Sequence, residues 1–276
     1  MNDVLTGNFA GCCWQLWRPQ TVRVVNWNID RGLRLQEITE FLASQKADLL
    51  TLQEVDLNAK RTHFSNVAEE LARRLQMNYV FGREFEELTQ GSRTSPAYHG
   101  QATLSRWRLK NARVIRFRDQ SGFWRPRWFL PRTEPFQERL GGRIALVTEV
   151  DAFGTVFNVY NLHLESRGDN NLRFSQLKQA VGDAARYAPR VPTLLAGDLN
   201  CDISEGDAAV LIERSGFSDV LRHSHSYTRP ARSLFRSPRS IDWALIAGPL
   251  EAIRGKVYTT VKASDHYPIS FTLRFR

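Results

Sequence analysis

The ten residues Thr193–Asp202, TLLAGDLNCD, begin as a buried β-strand and end as something else. The apolar LLA run is short and rich in large aliphatics, as in a strand covered on both faces. Asp198, Asn200 and Asp202 then follow on one alternation. Asp and Asn are poor strand formers and are costly to bury unpaired. Either a turn starts here and the polar groups are solvated, or a rigid strand delivers them to a chemical site.

The same pattern recurs five times. NWNID places Asn28 and Asp30 just past a first β-branched strand, Thr21–Asn28. DLLTLQ, Asp48–Gln53, runs into Glu54, and VYNLHLES carries His163 at the end of Thr155–His163. SIDWALI puts Asp242 at the start of Ile241–Ala247, and ASDHYPIS puts Asp265 and His266 before Ile269–Phe275. Singly, a carboxylate at a strand end is more often a turn or cap residue, and a lone His in an apolar strand more often a bonded core residue. Repetition changes the odds, because packed strands bring their ends together and sites form there. Carboxylates with amide oxygens and no cysteine favour a hard cation, Mg2+ or Mn2+, over zinc. Two histidines and amides beside such a cation suit the charge of a phosphoryl transition state.

Between these strands, periodicity predicts helices over Leu35–Gln45, Asn66–Gln76 with Asn66 as cap and Glu69 three residues on, Asn171–Tyr187, and Ala208–Arg214 ending at Gly216. Further strands are expected at Tyr79–Phe81, Gln101–Ser105, Ala112–Phe117, Arg143–Val150, Pro192–Gly197 and Ala252–Tyr258. Hairpin-like pairs mix with βαβ-like units, which predicts a layered α/β domain on mixed sheets. Residues 1–20 are expected to be an N-terminal arm and 21–276 one domain. Arg118–Leu140 and Ser218–Ser240 fit neither period and are expected to be long polar loops; His99, His223 and His225 fall in loops on this reading and take no role.

The chain has 276 residues, ample for one large α/β domain. Thirty-eight Lys and Arg against 29 Asp and Glu give a formal charge of +9, which favours polyanionic partners. Cys12, Cys13 and Cys201 form neither a disulfide framework nor a CxxC pair, so a reducing, cytoplasmic location is expected. No stretch reaches the ~20 apolar residues of a membrane span, and the N-terminus lacks a secretory pattern. A monomer without stable membrane insertion is expected.

In order along the chain, NWNID, LQEVD, HGQATLSR, NLHLES, GDLN, SIDWAL and SDHYP resemble the motifs of the endonuclease/exonuclease/phosphatase superfamily, from about Val22 to Phe275. The resemblance implies a four-layer α/β sandwich, two mixed sheets face to face with helices outside, and Mg2+-dependent hydrolysis of phosphate esters by in-line attack of water. It implies that Glu54 ligates the metal, with Asn28, Asp30 and Asp265 around it, some through water. It implies that Asp198 orients or deprotonates the water, that Asn200 and His163 hold phosphate oxygens, and that His266, paired with Asp242, binds phosphate or moves a proton. Either Asp198 or His266 is the base. NWNID with LQEV, and NLHLESRG before a helix carrying Arg173, Gln176 and Leu177, are similar to the 5′-tyrosyl-DNA phosphodiesterases.

Arg116–Arg139 interleaves arginines, Arg125 and Arg127 among them, with Phe117, Phe123, Trp124, Trp128 and Phe129; Arg229, Arg232, Arg236 and Arg239 form a second basic stretch. Arginines pair with phosphates and aromatics stack on bases, so Arg125, Arg127, Arg236 and Arg239 are candidate substrate contacts on a nucleic acid. A membrane-surface loop is a second reading, and aromatics packed on the sheet edge with the arginines in water a third. Arg143 reads as structural and Asp202 as a turn residue. The functional alternatives are therefore a nuclease or nucleic-acid end-processing enzyme, a hydrolase of lipid head groups or small phosphate esters, and a non-catalytic binding protein on the same fold.

Overall fold

A computed structural model of the chain describes residues 3–11, 20–133, 136–221, 226–231 and 237–276. Its first half holds β1 (Val4–Gly7), β2 (Thr21–Arg31), α1 (Leu35–Gln45), β3 (Leu49–Leu57), α2 (Val67–Leu75), β4 (Asn78–Glu87) and β5 (Ala97–Ser105). Then come β6 (Arg108–Arg116), β7 (Arg139–Gly141), β8 (Ile144–Ala152), β9 (Thr155–His163) and α3 (Asn170–Ala184). β10 (Thr193–Asp198), α4 (Gly206–Arg214), β11 (Ser218–Asp219), β12 (Asp242–Ala247), β13 (Leu250–Val257) and β14 (Ile269–Phe275) follow.

Alternation in the strands sorts side chains into layers. In β2, Val22 and Val24 enter a core shared with Leu194 and Ala196 of β10 and Phe271 of β14. Val25 and Trp27 face the other way, under Ile38 and Leu42 of α1 and Leu71 of α2. A third core joins β9 and β10 to α3 and α4 through Tyr160, Leu195, Leu177, Val181 and Ile212. The result is a four-layer α/β sandwich. One sheet runs β1-β4-β5-β3-β2-β14-β13, with β7 added on β4; the other runs β11-β12-β10-β9-β8-β6. Both are mixed: β2 is parallel to β3 and β9 to β10, while the remaining neighbours are antiparallel.

Five expectations change. Ser218–Asp219, expected in a loop, pairs with β12 as the short strand β11. Val4–Gly7, expected in an arm, pairs with β4 as the edge strand β1. β4 runs on from Phe81 to Glu87 through two buried carboxylates, because Arg143 pairs with Glu84 and Arg139 with Glu87. His99 lies within β5, fully buried, rather than in a loop, and its Nδ1 bonds Asp56 Oδ1 at 2.9 Å. The helix expected to reach Tyr187 stops at Ala184, and its cap is Asp169, whose side chain accepts from Leu172 N. Among the basic stretch 118–140, Trp124 is buried as expected of a packed aromatic, whereas Trp128 and Phe129 face solvent.

The two sheets are tied by polar groups. Thr51 Oγ1 and Gln53 Nε2 both donate to Asn26 Oδ1, at 2.9 and 3.0 Å. Gln53 Nε2 also donates to Asn161 Oδ1 of the facing sheet at 2.7 Å, and Asn161 Nδ2 donates back to the carbonyls of Leu52 and Ala102. This buried network fixes how the strand ends of one sheet face those of the other.

Candidate active site

Topology explains why residues scattered from 28 to 266 meet. β9 and β10 are parallel, so His163 and Asp198, each the last residue of its strand, are register partners. β12 is antiparallel to β10, so its first residue, Asp242, is the partner of Asp198 on the other side. His163, Asp198 and Asp242 thus form one row across three strands. Gly197 makes this possible, since a Cβ there would lie 1.9 Å from the Leu162 carbonyl oxygen.

The facing sheet supplies the rest. β2 and β3 break register between Asn28 and Arg31, and β3 and β5 between Leu52 and Val55. Asp30, Arg31 and Glu54 sit at these bulges with positive φ of 43°, 67° and 52°, a sparsely populated region for such residues. Bulges re-aim side chains, and Glu54 is turned toward Asn28. Asn28 Nδ2 donates to Glu54 Oε1 at 3.2 Å and to Asp198 Oδ2 at 3.1 Å, so a carboxylate from each sheet converges on one amide.

His266 arrives from the loop before β14. Trp27 Nε1 donates to its carbonyl at 2.9 Å, and Ser264, bonded to the Asn28 carbonyl, accepts from its amide. Its Nδ1 bonds both Asp242 oxygens at 2.9–3.0 Å, leaving Nε2 3.6 Å from Asp198 Oδ2. Burial opposes its protonation, but the Asp242 and Asp198 carboxylates outweigh burial and lift His266 to about 9. Asn200, at φ 53°, donates its amide N–H to Asp198 Oδ1 and its Nδ2 to the Leu164 carbonyl.

On the other flank stands Arg143, expected to be structural, which holds a buried acid as such a residue does and also reaches a site histidine. Arg143 is buried, donates to Glu84 at 2.6 Å and to Ser166 Oγ at 2.8 Å, and lies 2.9 Å from both ring nitrogens of His163. Burial raises Glu84, yet the Arg143 and His163 charges prevail and hold it down at about 2. Likewise burial opposes ionisation of Glu54, but His99, Arg31, His163 and Arg139 hold it well below the usual carboxylate range. A lone Arg opening an apolar strand gives no sequence sign that it faces a site; the nearby buried acids Glu84 and Glu165 are equally silent.

The remaining expected residues fall as follows. Asp30 pairs with Arg31 at 2.5 Å and Asp265 with Arg229 at 2.8 Å, so both expected metal ligands hold arginines here. Arg239 donates to the Asn200 carbonyl at 3.0 Å. Arg125 is exposed, and Arg127 is half-buried over Phe123 with a bond to the Gly122 carbonyl. Arg236 lies outside the described residues. Asp202 is a turn residue, accepting from Ser204 N and Oγ.

The donor set suits a hard divalent cation: Glu54 is held anionic, is partly exposed, and shares an amide with Asp198. Asp198, Asp242 and His266 also bring ligand atoms within 4.8 Å of one another. Asp56, Glu87 and His99 form a second such group. There Arg61 grips both Asp56 oxygens and Arg139 lies 3.0 Å from Glu87, so the carboxylates are already balanced by guanidinium.

Residues 25–266 match the model of the Endonuclease/Exonuclease/phosphatase family. The chain belongs to this family. No curated protein matches it in sequence. Solved structures do match in fold. The endonuclease/exonuclease/phosphatase from Bacteroides vulgatus superposes with a TM-score of 0.67 at 16% identity, over 94% of this chain and 100% of that one. The human Nocturnin catalytic domain, solved with a bound sulfate anion, gives 0.65 at 19% identity over 99% and 97%. TDP2 from Caenorhabditis elegans gives 0.64 at 18% identity over 93% and 74%. Members of the endonuclease/exonuclease/phosphatase family are phosphoric ester hydrolases, and this chain is a phosphoric ester hydrolase of that family, which as a family depends on a divalent metal.

Proposed function

We propose that the protein is a Mg2+-dependent phosphodiesterase acting on nucleic acid, at ends or internal linkages. The observation that carries this reading is the Asn28 amide between Glu54 of one sheet and Asp198 of the other, flanked by the His266–Asp242 pair and by Arg143 against His163. Glu54 and Asn28 would hold Mg2+, or Mn2+ in its place, which when bound polarises the phosphate oxygens. Asp30 and Asp265, whose carboxylates hold Arg31 and Arg229, would border that position.

With His266 lifted to about 9, its imidazolium persists at neutral pH and is a poor base. It donates from Nε2 to a phosphate oxygen, and Asp198 takes the proton of the attacking water. His163, steadied by Arg143, and Asn200 face the growing charge on the phosphate. The +9 charge and the exposed Arg125 and Arg239 favour a polyanion. Phosphate esters of lipid head groups are the second reading, favoured by the exposed aromatics Trp128 and Phe129.

The test is purified protein with Mg2+ or Mn2+ on a plasmid, a labelled single strand, a 5′-tyrosyl oligonucleotide, sphingomyelin and a small soluble phosphodiester. Expected is EDTA-sensitive cleavage of at least one nucleic acid, with Glu54→Ala and Asp198→Ala each slowing it about a hundredfold or more. Cleavage of sphingomyelin without cleavage of nucleic acid selects the second reading. No EDTA-sensitive hydrolysis of any substrate overturns both.

A further inference from the structure

The loop between β6 and β7 carries two tryptophans with opposite fates. Trp124 is 3% exposed, packs tilted against Phe85 and edge to face with Phe123, and donates its Nε1 to both oxygens of buried Glu165. Trp128, four residues on, is 96% exposed, and Phe129 is 63% exposed. The neck between them is pinned by hydrogen bonds. Buried Gln137 accepts from Arg127 N and donates to the Arg125 carbonyl, and Arg127 lies over Phe123. Leu130 N then donates to the Arg127 carbonyl, closing a tight turn whose two corner residues are Trp128 and Phe129.

Two adjacent aromatics at a turn corner form a convex apolar tip, with their rings edge to face at 5.8 Å. A tip of this shape offers no groove in which successive bases could stack, and the crossed rings make no parallel clamp. It is complementary to a soft apolar medium. Exposed Arg125 and Arg132 flank it in sequence, three or fewer residues from the corner, and long cationic side chains so close to inserted aromatics suit anionic head groups. The root of the same loop, at Trp124, meets Arg143 and Glu165 beside His163, so the tip stands on a loop anchored against the flank of the site.

We infer that the Trp128–Phe129 corner docks the enzyme peripherally on an anionic phospholipid bilayer, whichever phosphate ester the site cleaves. No helix is long and apolar enough to cross a membrane among the described residues, and docking by one loop requires none. Two inserted aromatics with a basic rim give reversible, salt-sensitive binding.

The test is sedimentation of the full chain with vesicles of phosphatidylcholine alone or doped with phosphatidylserine. Binding to the doped vesicles is expected, weakening with salt, and falling about tenfold or more in Trp128→Ala/Phe129→Ala. Hydrolysis of a small soluble phosphodiester, measured in parallel, is expected to be unchanged by the double substitution, which separates this docking from the proposed catalysis. Equal vesicle binding by parent and double variant overturns the inference. So does absence of vesicle binding at low salt. A loss of single-stranded oligonucleotide binding in the double variant, with no vesicle binding in the parent, would assign the tip to nucleic acid instead.

Discussion

At the residue scale, buried charges in this site are paired, and two of the pairings carry a pH signature. Glu84 lies at about 2 in the folded protein because Arg143 and His163 outweigh its burial. A depressed carboxylate contributes stability that is present above its unfolded value of 4.5 and is lost as pH falls toward 2. Urea midpoints should therefore drop between about pH 4.5 and 2, on the order of 3 kcal/mol for this group. Glu84→Gln should be less stable at pH 7 and show a flatter acid limb; parallel limbs would mean that Glu84 is not held down. His266 has the opposite sign. Raised from 6.5 to about 9, it contributes stability that is full below about pH 6.5 and lost by about pH 9. His266→Asn should remove that alkaline loss, read from melting temperature against pH. Residues such as Asp198 and His266 were legible in the sequence because a charge at the end of an apolar run is anomalous. Arg143 and Glu84 were not, because a buried ion pair leaves no local pattern when its members are 59 residues apart.

At the element scale, close approach and strand irregularity decide whether the site forms. Every expected helix is present, and Leu35–Gln45, Thr155–His163 and Ile269–Phe275 have the bounds that periodicity predicted. The bulges that aim Asp30 and Glu54 were not legible, since a positive φ at Glu is imposed by its neighbours rather than preferred by its side chain. Nor was the inter-sheet network of Asn26, Gln53 and Asn161, which depends on partners in different sheets. Asn161→Leu should take one acceptor from the Gln53 amide, which keeps Asn26 Oδ1, and the side-chain donor from the Leu52 and Ala102 carbonyls, costing about 1–3 kcal/mol where no water replaces the bonds; chemical denaturation would measure it. Gly197→Ala makes a sharper claim. Its Cβ, 1.9 Å from the Leu162 oxygen, must part β9 from β10 and so separate His163 from Asp198. A loss of about 3 kcal/mol or more is expected, at the upper end for overpacking because the contact is to backbone, together with a fall in kcat of more than about tenfold in the fraction that still folds. Unchanged kcat would show that the register of these two strands does not set the chemistry.

At the scale of the whole molecule, the mixed hairpin and βαβ patterning was enough to foresee a layered α/β domain, and the ordered motifs were enough to foresee the sandwich. Charge acts at this scale too. A formal +9 spread over the surface, with Arg125, Arg132, Arg167 and Arg239 exposed, sets up a field that a long polyanion samples and a small ester does not. Each phosphate neutralised by an arginine releases condensed counterions, so affinity for single-stranded nucleic acid falls with a log–log slope of about 0.7 per contact as salt rises. KM for an oligonucleotide should therefore climb steeply between low and physiological salt, while KM for a small soluble phosphodiester stays nearly flat. Arg125→Ala with Arg127→Ala should lower the oligonucleotide slope by about 1.4 and leave kcat on the small ester unchanged, because neither residue touches the row formed by His163, Asp198 and Asp242. Equal salt slopes for the two substrates would mean that the basic surface plays no part in substrate capture, and that the positive charge of this chain serves a partner other than nucleic acid.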